Sequence, residues 1–411
     1  MNKEVIRHIA VLIIGFIGLT ASAQDVYVNI ENDAVRRYIS EVTYTSIEDS
    51  SLIDHYNVSP PSRRDVPVAA NVPVPNVDAD TVTVTYALES DFSDGTTIGV
   101  QKGQTRVSVY NLVPKSNYYY KVEADSVEVA KGRIHTTGQV RMIYVPGTYN
   151  LRDLGGWPTA DGKLVKYGKI YRGADLNGTY VVDSADIEML KQLGISAEID
   201  MRAYYNEGSG ISAFGFTSSG STPTYYYTNN SGQLPEHLLQ PMFLTRWCQS
   251  FQFIVSNLRA GRAIYTHCVY GADRTGYLSF LLEGLLGVTY DGMIKDYELT
   301  TFFAEDHVKS RIEPVVEYIK TLNGATLQEK FNYFFTHKMG VSQADIDYFR
   351  SEMLVEEKHE GGGTAVKSPE VREVFDRVGE CFDLMGRKVS ESKRGLMIQV
   401  GSDGKPRKVI R

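Results

Sequence analysis

The chain has 411 residues, which at roughly 150 residues per domain corresponds to two or three domains. Apolar residues make up 42% of it and charged residues 23%, a composition that is typical of globular proteins and excludes collagen and wholesale disorder. The net charge of -7 excludes a bulk attraction to nucleic acid or anionic lipid and leaves room only for a local basic site.

The number of cysteines limits the possible disulfides. Three cysteines are too few for a dense disulfide framework, and their odd number leaves at least one thiol free.

The first 23 residues have the pattern of a secretory signal peptide. Lys3 and Arg7 form a basic start, residues 9–19 are apolar, and small residues follow as at a cleavage site. The apolar run is too short to span a bilayer comfortably, and no later stretch is long enough to do so. We expect the mature chain to begin near Gln24 and to lie outside the cytoplasm, in the periplasm, on the cell surface or secreted. The alternative is an uncleaved membrane anchor.

Two segments precede the main domain. Residues 24–64 are polar, with a short helix predicted around 33–42. Over residues 65–138 apolar and polar side chains alternate, which is typical of half-buried strands. Leu112 to Tyr118 resembles the tyrosine corner of fibronectin type III domains, in which Tyr118 would bond back to upstream backbone. The resemblance implies a β-sandwich, either a spacer or a binding module, with a first strand drawn from the preceding segment.

From residue 139 to 356 strand-like runs alternate with helical ones. The clearest strands are predicted at 169–172, 197–201 and 263–266, and the clearest helices at 185–193, 244–258, 274–286 and 308–322. This alternation indicates an α/β domain with a central sheet flanked by helices. The helix at 274–286 is apolar nearly all round, so we expect it to be buried against that sheet.

The carboxyl-terminal part has a different composition. Residues 357–369 are predicted to be a Gly-rich linker, and residues 370–411 to be a short β module of two or three strands. The run from Phe382 to Val389 and the strand after Gly395 resemble the C-terminal sorting modules of Bacteroidetes secreted proteins. The alternative is a plain β-hairpin packed on the preceding domain.

A predicted strand ends in a loop that carries the reactive residues of the chain. Its sequence is His267-Cys268-Val269-Tyr270-Gly271-Ala272-Asp273-Arg274-Thr275-Gly276, and the buried helix follows directly. Five residues between Cys268 and Arg274 close a loop whose N–H groups point inward at a helix N-terminus, an arrangement that binds anions. Gly271 lets the backbone turn, and Arg274 offers a planar fork that matches two phosphate oxygens. Such a field favours a thiolate, so Cys268 is predicted to be a nucleophile.

This loop resembles the signature C-x5-R-[ST] of the cysteine-dependent protein tyrosine phosphatases, with its preceding histidine. A second stretch, Asn150-Leu151-Arg152-Asp153-Leu154-Gly155-Gly156, resembles the N-x-R-D-L-G-G opening of a bacterial and fungal branch that includes secreted tyrosine and lipid phosphatases. Residues 197–202 and 296–300 match that branch as well. The resemblance covers roughly residues 145–354 and implies a tyrosine-phosphatase-like fold and a phosphocysteine intermediate.

The resemblance also implies roles for the residues of the loop. Cys268 would attack phosphorus, while Arg274 and the loop amides would hold the phosphate oxygens most tightly in the transition state. Thr275 would either bond the thiolate or cap the helix, and His267 would orient the loop rather than transfer protons. The expected substrate-binding positions are Val269, Tyr270, Gly271, Ala272, Thr275 and Gly276.

Two aspartates are candidates for the general acid that protonates the leaving oxygen. Asp273 lies in the loop beside Arg274, and Asp200 ends a strand whose edge should face the loop. The resemblance supports a role for both. We expect Asp200 to be the acid and Asp273 to be an orienting carboxylate.

Other charged residues in these motifs allow two interpretations. Arg152 and Asp153 are predicted to form a structural ion pair. Arg172 and Arg202 either line the anion pocket or form salt bridges at strand ends.

One departure from the family bears on the substrate. Relatives active on phosphoinositides tend to carry a lysine where this chain has Ala272. A missing ammonium removes a counter-charge for a second phosphate, which favours monophosphorylated targets such as phosphotyrosine unless Lys169 or Lys295 reaches in. Tyr270 and the run Tyr225 to Tyr227 either pack on a substrate ring or are ordinary packing.

No metal or cofactor is predicted, because the eight histidines show no ligand spacing. Cys248 and Cys381 could pair with each other or with Cys268, and no spacing decides between these. The expected function is a secreted, metal-independent protein tyrosine phosphatase acting on a phosphorylated protein or small phosphate ester, without nucleic acid or membrane span. The alternative substrates are phosphoinositides and inositol phosphates. The alternative class is a catalytically silent phosphate-binding module, and the oligomeric state stays open.

Overall fold

A computed structural model of the protein describes residues 22–46, 49–56, 65–232, 237, 239–303 and 308–356, and four short strands beyond residue 380. The chain divides into two compact units, residues 1–356 and 357–411. The predicted signal peptide, except for Ser22 and Ala23, and the predicted linker at 357–369 lie outside the described residues.

None of the helices in the described ranges is both long enough and apolar enough to cross a membrane.

The amino-terminal region is rich in strands. They are β1 (Ser22–Ala23), β2 (Val26–Asn29), β3 (Ala70–Pro73), β4 (Val82–Ala87), β5 (Thr96–Gly99), β6 (Arg106–Val109), β7 (Asn117–Ala124) and β8 (Val127–Thr137). One sheet has the order β1-β8-β7-β4-β5, with β2 also paired in parallel to β8, and a second consists of the antiparallel pair β3-β6. Val72, Val84 and Val107, from both sheets, share one core, so the region has two β layers. Strand β2 shows that the preceding segment does supply a first strand.

The hydrogen bond expected of Tyr118 is present in this region. The hydroxyl of Tyr118, on β7, accepts the N–H of Val113 at 2.9 Å. The tyrosine therefore ties its strand to the chain that leads into it, as the predicted tyrosine corner requires.

The segment between β2 and β3 packs on the α/β domain that follows. Helix α1 (Asp33–Glu41) begins at Asn32, whose side chain accepts the N–H of Val35 at 3.0 Å. Val35 and Tyr38 are buried in the same core as the helices of that later domain. A short 3-10 helix (Ile53–His55) adds Ile53 to that core. Residues 24–64, predicted as a segment of their own, are therefore partly an element of the α/β domain.

The α/β domain carries the remaining elements of the first unit. Its strands are β9 (Arg152–Asp153), β10 (Lys163–Val165), β11 (Ile170–Gly173), β12 (Ile195–Asp200), β13 (Tyr225–Tyr227), β14 (Ala263–His267) and β15 (Leu354–Glu356). Its α-helices are α2 (Ser184–Gln192), α3 (Pro241–Arg259), α4 (Asp273–Leu286), α5 (Tyr290–Glu298), α6 (Glu313–Lys320), α7 (Leu327–Tyr333) and α8 (Gln343–Met353). Two 3-10 helices (Leu299–Phe302 and Lys309–Arg311) and a π-helical turn (Phe334–Lys338) complete it.

The central sheet brings several strand ends together. Its order is β13-β12-β14-β11-β9, with the first four strands parallel and β9 antiparallel to β11. Strand β14 is buried along its whole length, and α4 behind it has a buried residue at nearly every position, as the sequence predicted. Because parallel strands end at the same edge, the residues after β11, β12 and β14 meet there.

One predicted helix is interrupted. The sequence predicted a single helix over 308–322, but the structure has the 3-10 helix Lys309–Arg311 and then a separate helix α6. Pro314 stands in the first turn of α6, where its missing N–H costs no hydrogen bond, and such a proline favours a new helix start.

The described residues of the second unit form four strands: β16 (Cys381–Phe382), β17 (Lys388–Val389), β18 (Leu396–Val400) and β19 (Pro406–Ile410). They form an antiparallel sheet in the order β17-β16-β18-β19. They lie within residues 370–411, where the sequence predicts two or three short strands.

Candidate active site

The loop between β14 and α4 forms the centre of the site. Cys268 follows the last residue of β14 and is only 3% exposed, and Arg274 lies in the first turn of α4 with the same exposure. Gly271 between them has φ +67, and a Cβ there would lie 2.3 Å from the carbonyl oxygen of Gly173. The turn therefore requires glycine for two reasons, its backbone conformation and the close approach of β11.

The carbonyl groups of the loop all have hydrogen-bond donors around its outside. The carbonyl oxygen of Cys268 lies 3.0 Å from Nδ1 of His267, and that of Val269 accepts the N–H of Asp175 at 2.9 Å. The next three carbonyls are those of Tyr270, Gly271 and Ala272, which accept from Asn150 Nδ2 at 3.0 Å, Arg172 Nη2 at 3.0 Å and Gly276 N at 2.8 Å respectively.

This outward arrangement fixes the direction of the N–H groups. In a trans peptide the C=O and the next N–H point in opposite directions, so each outward carbonyl turns the following N–H inward. The N–H groups of Val269, Tyr270, Gly271 and Ala272 have no hydrogen-bond acceptor among the described residues. Together with the amino-terminal end of α4 they form a concave set of donors that suits an anion.

The thiol of Cys268 lies inside this set of donors. Burial alone would raise the pKa of the thiol, but the charge of Arg274 and the neighbouring hydroxyl and N–H of Thr275 lower it below its usual value. The hydroxyl of Thr275 is buried and has no hydrogen-bond partner among the described residues. It is therefore available to the sulfur, which supports the thiolate-bonding interpretation over simple helix capping.

The guanidinium of Arg274 is anchored on one side only. Its Nη1 donates to the carbonyl of Met201 at 3.0 Å and to that of Asn230 at 2.8 Å. Its Nε is buried and has no partner among the described residues. One side of the fork is thus held by backbone, which leaves the Nε side for a phosphate oxygen.

Asp200 ends β12 beside His267, at the predicted strand end, and its carboxylate accepts several hydrogen bonds there. Both of its oxygens bind the guanidinium of Arg202, at 2.9 and 2.8 Å, and Tyr225 and the N–H of Gly210 donate to it as well. Burial would raise the pKa of its carboxyl, but His267 and Arg202 lower it to about 2. Asp200 is fully buried and has no proton to donate near neutral pH. Both carboxylate oxygens of Asp200 are therefore engaged by donors.

Asp273 is better placed for proton transfer. It is the first residue of α4, its side chain is 24% exposed, and one oxygen lies 3.4 Å from Nη1 of Arg311. A carboxyl group at the mouth of an anion-binding loop can reach the leaving oxygen of a bound ester.

His267 links the loop to the neighbouring strand. Its Nε2 lies 3.0 Å from Oε1 of Glu198, on β12, and the other oxygen of Glu198 accepts the hydroxyl of Ser212. Burial would lower the pKa of the imidazole, but Asp200 and Glu198 raise it above its usual value. Its two ring nitrogens lie within hydrogen-bond distance of Glu198 and of the Cys268 carbonyl, which connects the loop to β12.

Glu198 is a site residue that none of the sequence motifs identifies. Its signal in the sequence is a carboxylate within the apolar run Ile195 to Ile199, because a charged residue in a buried strand needs a partner. Asp296, in the run 296–300, likewise has no role that the motifs predict. Its carboxylate binds Arg152 Nε at 2.9 Å and Arg172 Nη1 at 2.6 Å.

The ion pair predicted between Arg152 and Asp153 is therefore wrong. Arg152 pairs with Asp296, and Asp153 pairs with Arg141 at 3.2 Å. The two residues are neighbours in a β-strand, and neighbouring side chains of a strand point to opposite faces.

Arg172 and Arg202 both form buried salt bridges. Arg202 binds Asp200 and lies 3.4 Å from Asp175. Arg172 binds Asp296 and supports the loop from outside through the Gly271 carbonyl. Arg172 therefore contacts the loop through its backbone, whereas the guanidinium of Arg202 also binds the carbonyls of Glu207 and Gly208.

The two lysines that the sequence offered as replacements for the loop lysine are engaged elsewhere. Lys169 pairs with Glu352 at 2.5 Å. Lys295 is buried, pairs with Asp291 at 2.8 Å and donates to the carbonyl of Ile39 at 3.0 Å. Neither ammonium supplies the missing charge beside Ala272.

The remaining predicted substrate-binding positions differ in exposure. Val269 and Ala272 are buried, whereas the side chain of Tyr270 is 49% exposed beside the loop. Gly276 packs against Tyr297, since a Cβ there would lie 2.9 Å from the ring. Gly276 therefore allows close packing of α4 against α5, and its side is not the anion-binding side.

Four aromatic rings from separate segments form a cluster beside the loop. Tyr180 contacts Tyr270 edge-on with ring centroids 6.3 Å apart, and it also meets Phe303 at 5.9 Å and Tyr149 at 5.0 Å. We call these four residues the aromatic rim. The run Tyr225 to Tyr227 contributes none of them: Tyr225 bonds to Asp200, and Tyr226 stacks on Phe253.

Of the three cysteines, Cys248 and Cys268 are free thiols. The side chain of Cys381 lies outside the described part of the structure.

Comparison with known proteins agrees with this site. A family model described as the tyrosine phosphatase family matches residues 143–355, just over half of the 411 residues. The chain belongs to the tyrosine phosphatase family.

Two relatives illustrate the similarity. A protein of Cupriavidus necator named as a tyrosine-protein phosphatase is 28% identical over 163 residues, which cover 36% of this chain and 59% of that protein. The triple specificity protein phosphatase PtpB of Mycobacterium tuberculosis is 24% identical over 218 residues, 42% of this chain and 74% of the relative. The chain thus spans about three fifths of the length of the first relative.

Proposed function

We propose that the protein is a metal-independent phosphatase that hydrolyses phosphate monoesters through a phosphocysteine. The observation that carries the proposal is the loop itself, whose N–H groups face inward around a cysteine of lowered pKa. The thiolate of Cys268 attacks phosphorus, and the bond from phosphorus to the leaving oxygen breaks. Water then attacks the phosphocysteine and releases inorganic phosphate and the thiolate.

Arg274 and the loop amides stabilise the charge that develops on the phosphate oxygens in both steps. The proton for the leaving oxygen comes from Asp273, an assignment supported by its place in the first turn of α4 and by its partial exposure. Asp273 then accepts a proton from the attacking water in the second step, so proton balance is restored at each turnover.

The proposed substrate class is the monophosphorylated aryl ester, with phosphotyrosine in protein as its biological form. The aromatic rim offers flat surfaces to a phenyl leaving group, and Tyr270 stands half exposed beside the anion site. Ala272 supplies no charge for a second phosphate, and Lys169 and Lys295 are held elsewhere. Phosphoinositides and inositol phosphates are the alternative substrates, and they would need that charge.

We further propose that the phosphatase acts outside the cytoplasm. The support is the sequence pattern of the first 23 residues, and cleavage before Gln24 would leave strand β2 intact. The two-layer β region with its Tyr118 hydrogen bond is proposed to be fibronectin type III-like, serving as a spacer. The C-terminal β unit is proposed to be a secretion-sorting module.

Hydrolysis of p-nitrophenyl phosphate tests the mechanism, with EDTA and a thiol reductant present and with Cys268→Ser as the matched variant. Activity that survives EDTA and is lost in Cys268→Ser supports a phosphocysteine. An inactive reduced wild type would instead favour the silent phosphate-binding module. Phosphotyrosyl peptide, phosphoinositide and inositol phosphate are then compared by kcat/KM, and a preference for either inositol substrate would contradict the aryl-ester proposal.

A further inference from the structure

We propose that Asp65 is a positioning residue for the catalytic loop, contributed by chain outside the family-matched residues 143–355. The proposal rests on the proposed function, because it assigns a residue that keeps the same loop in its anion-binding form. Asp65 lies between β2 and β3 and is separated by 203 positions (268 minus 65) from Cys268.

Asp65 makes its contact through the backbone of the N-x-R-D-L-G-G stretch. Its carboxylate is 1% exposed, and Oδ2 accepts the N–H of Asn150 at 2.9 Å. A buried carboxylate is costly unless it is hydrogen-bonded, and its bonds to N–H donors are correspondingly strong. Asp65 therefore fixes the backbone at Asn150.

Asn150 passes this constraint to the loop. Its backbone has φ +57, in the left-handed region, and its side chain is fully buried. Nδ2 of Asn150 donates to the carbonyl of Tyr270 at 3.0 Å, while its Oδ1 accepts from Arg152 Nη1 at 2.6 Å. The amide reaches Tyr270 only while the unusual backbone conformation is held, and the bond from Asp65 holds it.

The Tyr270 carbonyl matters because of the peptide it belongs to. The same peptide unit carries the N–H of Gly271, which points in the opposite direction and into the anion site. If the carbonyl loses its partner, the peptide can rotate and withdraw that N–H from the substrate phosphate. Asp65 thus acts on catalysis through Asn150, at a distance from the reacting atoms.

The test compares Asp65→Ala and Asp65→Asn in the full chain. One readout is kcat/KM for p-nitrophenyl phosphate, and the other is the calorimetric affinity for tungstate in a Cys268→Ser background. We expect Asp65→Ala to lower both, kcat/KM by up to about 100-fold, as for other small displacements of catalytic groups. Asp65→Asn keeps an oxygen acceptor without the charge, so its loss should be smaller but measurable.

A double-variant cycle shows whether Asp65 works through Asn150. Asn150→Gly tolerates the positive φ and removes the amide, so adding Asp65→Ala to it should cost little more. Asp49→Ala is the matched control, because that carboxylate also accepts backbone N–H groups, of Ser46 at 2.8 Å and of Thr45, in the same amino-terminal segment. It should leave tungstate affinity unchanged.

Unchanged tungstate affinity in Asp65→Ala, or additive losses in the cycle, would overturn the proposal. If Asp65→Ala shows no cooperative thermal unfolding transition, and so is not folded, Asp65→Asn is the deciding variant. Wild-type tungstate affinity in Asp65→Asn would then overturn the proposal. An inactive wild type would count against the proposed function alone, since tungstate binding reports the loop without turnover.

Discussion

Asp200 and Asp273 show how surroundings decide what a carboxyl group can do. Asp273 lies in the loop itself, and Asp200 ends the strand motif of residues 197–202. From the sequence, Asp200 is the expected acid. Asp200 accepts five hydrogen bonds, three from Arg202 and one each from Tyr225 and Gly210, and its carboxyl has a pKa of about 2. Asp273 lies at the helix start and is partly exposed. We therefore expect Asp273 rather than Asp200 to transfer the proton.

Asp273→Asn should lower kcat for phosphotyrosine by about 10²- to 10⁴-fold, the usual contribution of general acid catalysis. The loss should be much smaller for p-nitrophenyl phosphate, whose leaving group needs little protonation. Steady-state kinetics with both substrates measure this difference.

Asp200→Asn is the companion variant and should act mainly on stability. Removing one partner of a buried ion pair costs about 3–5 kcal/mol in the free energy of unfolding. Because the folded-state pKa of Asp200 is lowered, its contribution to stability is present above pH 4 and is lost as the pH falls toward 2. Urea unfolding would show the loss, and a variant of normal stability with low phosphotyrosine turnover would restore Asp200 as the acid.

Thr275 should control the reactivity of the nucleophile. Its hydroxyl and N–H help to lower the pKa of the Cys268 thiol, so Thr275→Ala should raise that pKa and slow alkylation at neutral pH. Iodoacetamide alkylation as a function of pH measures the shift. Thr275→Ser keeps the hydroxyl and serves as the control; a profile for Thr275→Ala identical to wild type would mean that the hydroxyl only packs.

The elements that form the loop could be predicted because their signals are contiguous in the sequence. An apolar run predicts strand β14, a glycine predicts the turn at Gly271, and a segment that is apolar nearly all round predicts helix α4. The partners of the loop carbonyls did not follow, because Asn150 and Arg172 come from distant segments. The interruption before α6 does not follow from the apolar period of residues 308–322, which continues past Pro314, because a proline in a first turn leaves that period unchanged.

The turn at Gly271 allows a prediction about anion binding. Gly271→Ala should abolish tungstate binding, because its Cβ would lie 2.3 Å from the Gly173 carbonyl and the φ of +67 disfavours a side chain. Gly261→Ala is the matched control: its φ is +72, but no atom lies within 4 Å of a Cβ built there.

Gly261→Ala should therefore cost only about 1 kcal/mol of stability and leave anion affinity intact. Calorimetry and urea unfolding separate the two effects. Equal anion affinity in both alanine variants would show that the close approach of β11 is dispensable.

The segment between β2 and β3 completes the α/β domain, because it contributes side chains to the core of that domain. Glu298 on α5 accepts the hydroxyls of Tyr38 at 2.5 Å, Tyr44 at 2.6 Å and Ser51 at 2.5 Å. These donors lie more than 240 positions from Glu298 in the sequence, which is why composition and periodicity could not reveal the association.

Tyr38→Phe should lower the free energy of unfolding by about 1–3 kcal/mol, because it leaves a buried carboxylate short of one donor. Urea unfolding measures the change. Tyr27→Phe is the control, since that ring is 71% exposed. Equal stabilities of the two variants would show that the hydrogen bond from Tyr38 to Glu298 does not stabilise the domain.

The Tyr38–Glu298 contact also has a consequence for how the chain acquires its structure. The bond joins residues 260 positions apart, and contacts of such long sequence separation form late and slow folding. A chain that is synthesised, or exported, amino terminus first must present residues up to Glu298 before α1 finds its binding surface. The α/β domain therefore cannot complete its fold until the segment around Glu298 is available. Chains that are synthesised or exported only in part should be sensitive to protease and should not hydrolyse phosphate esters.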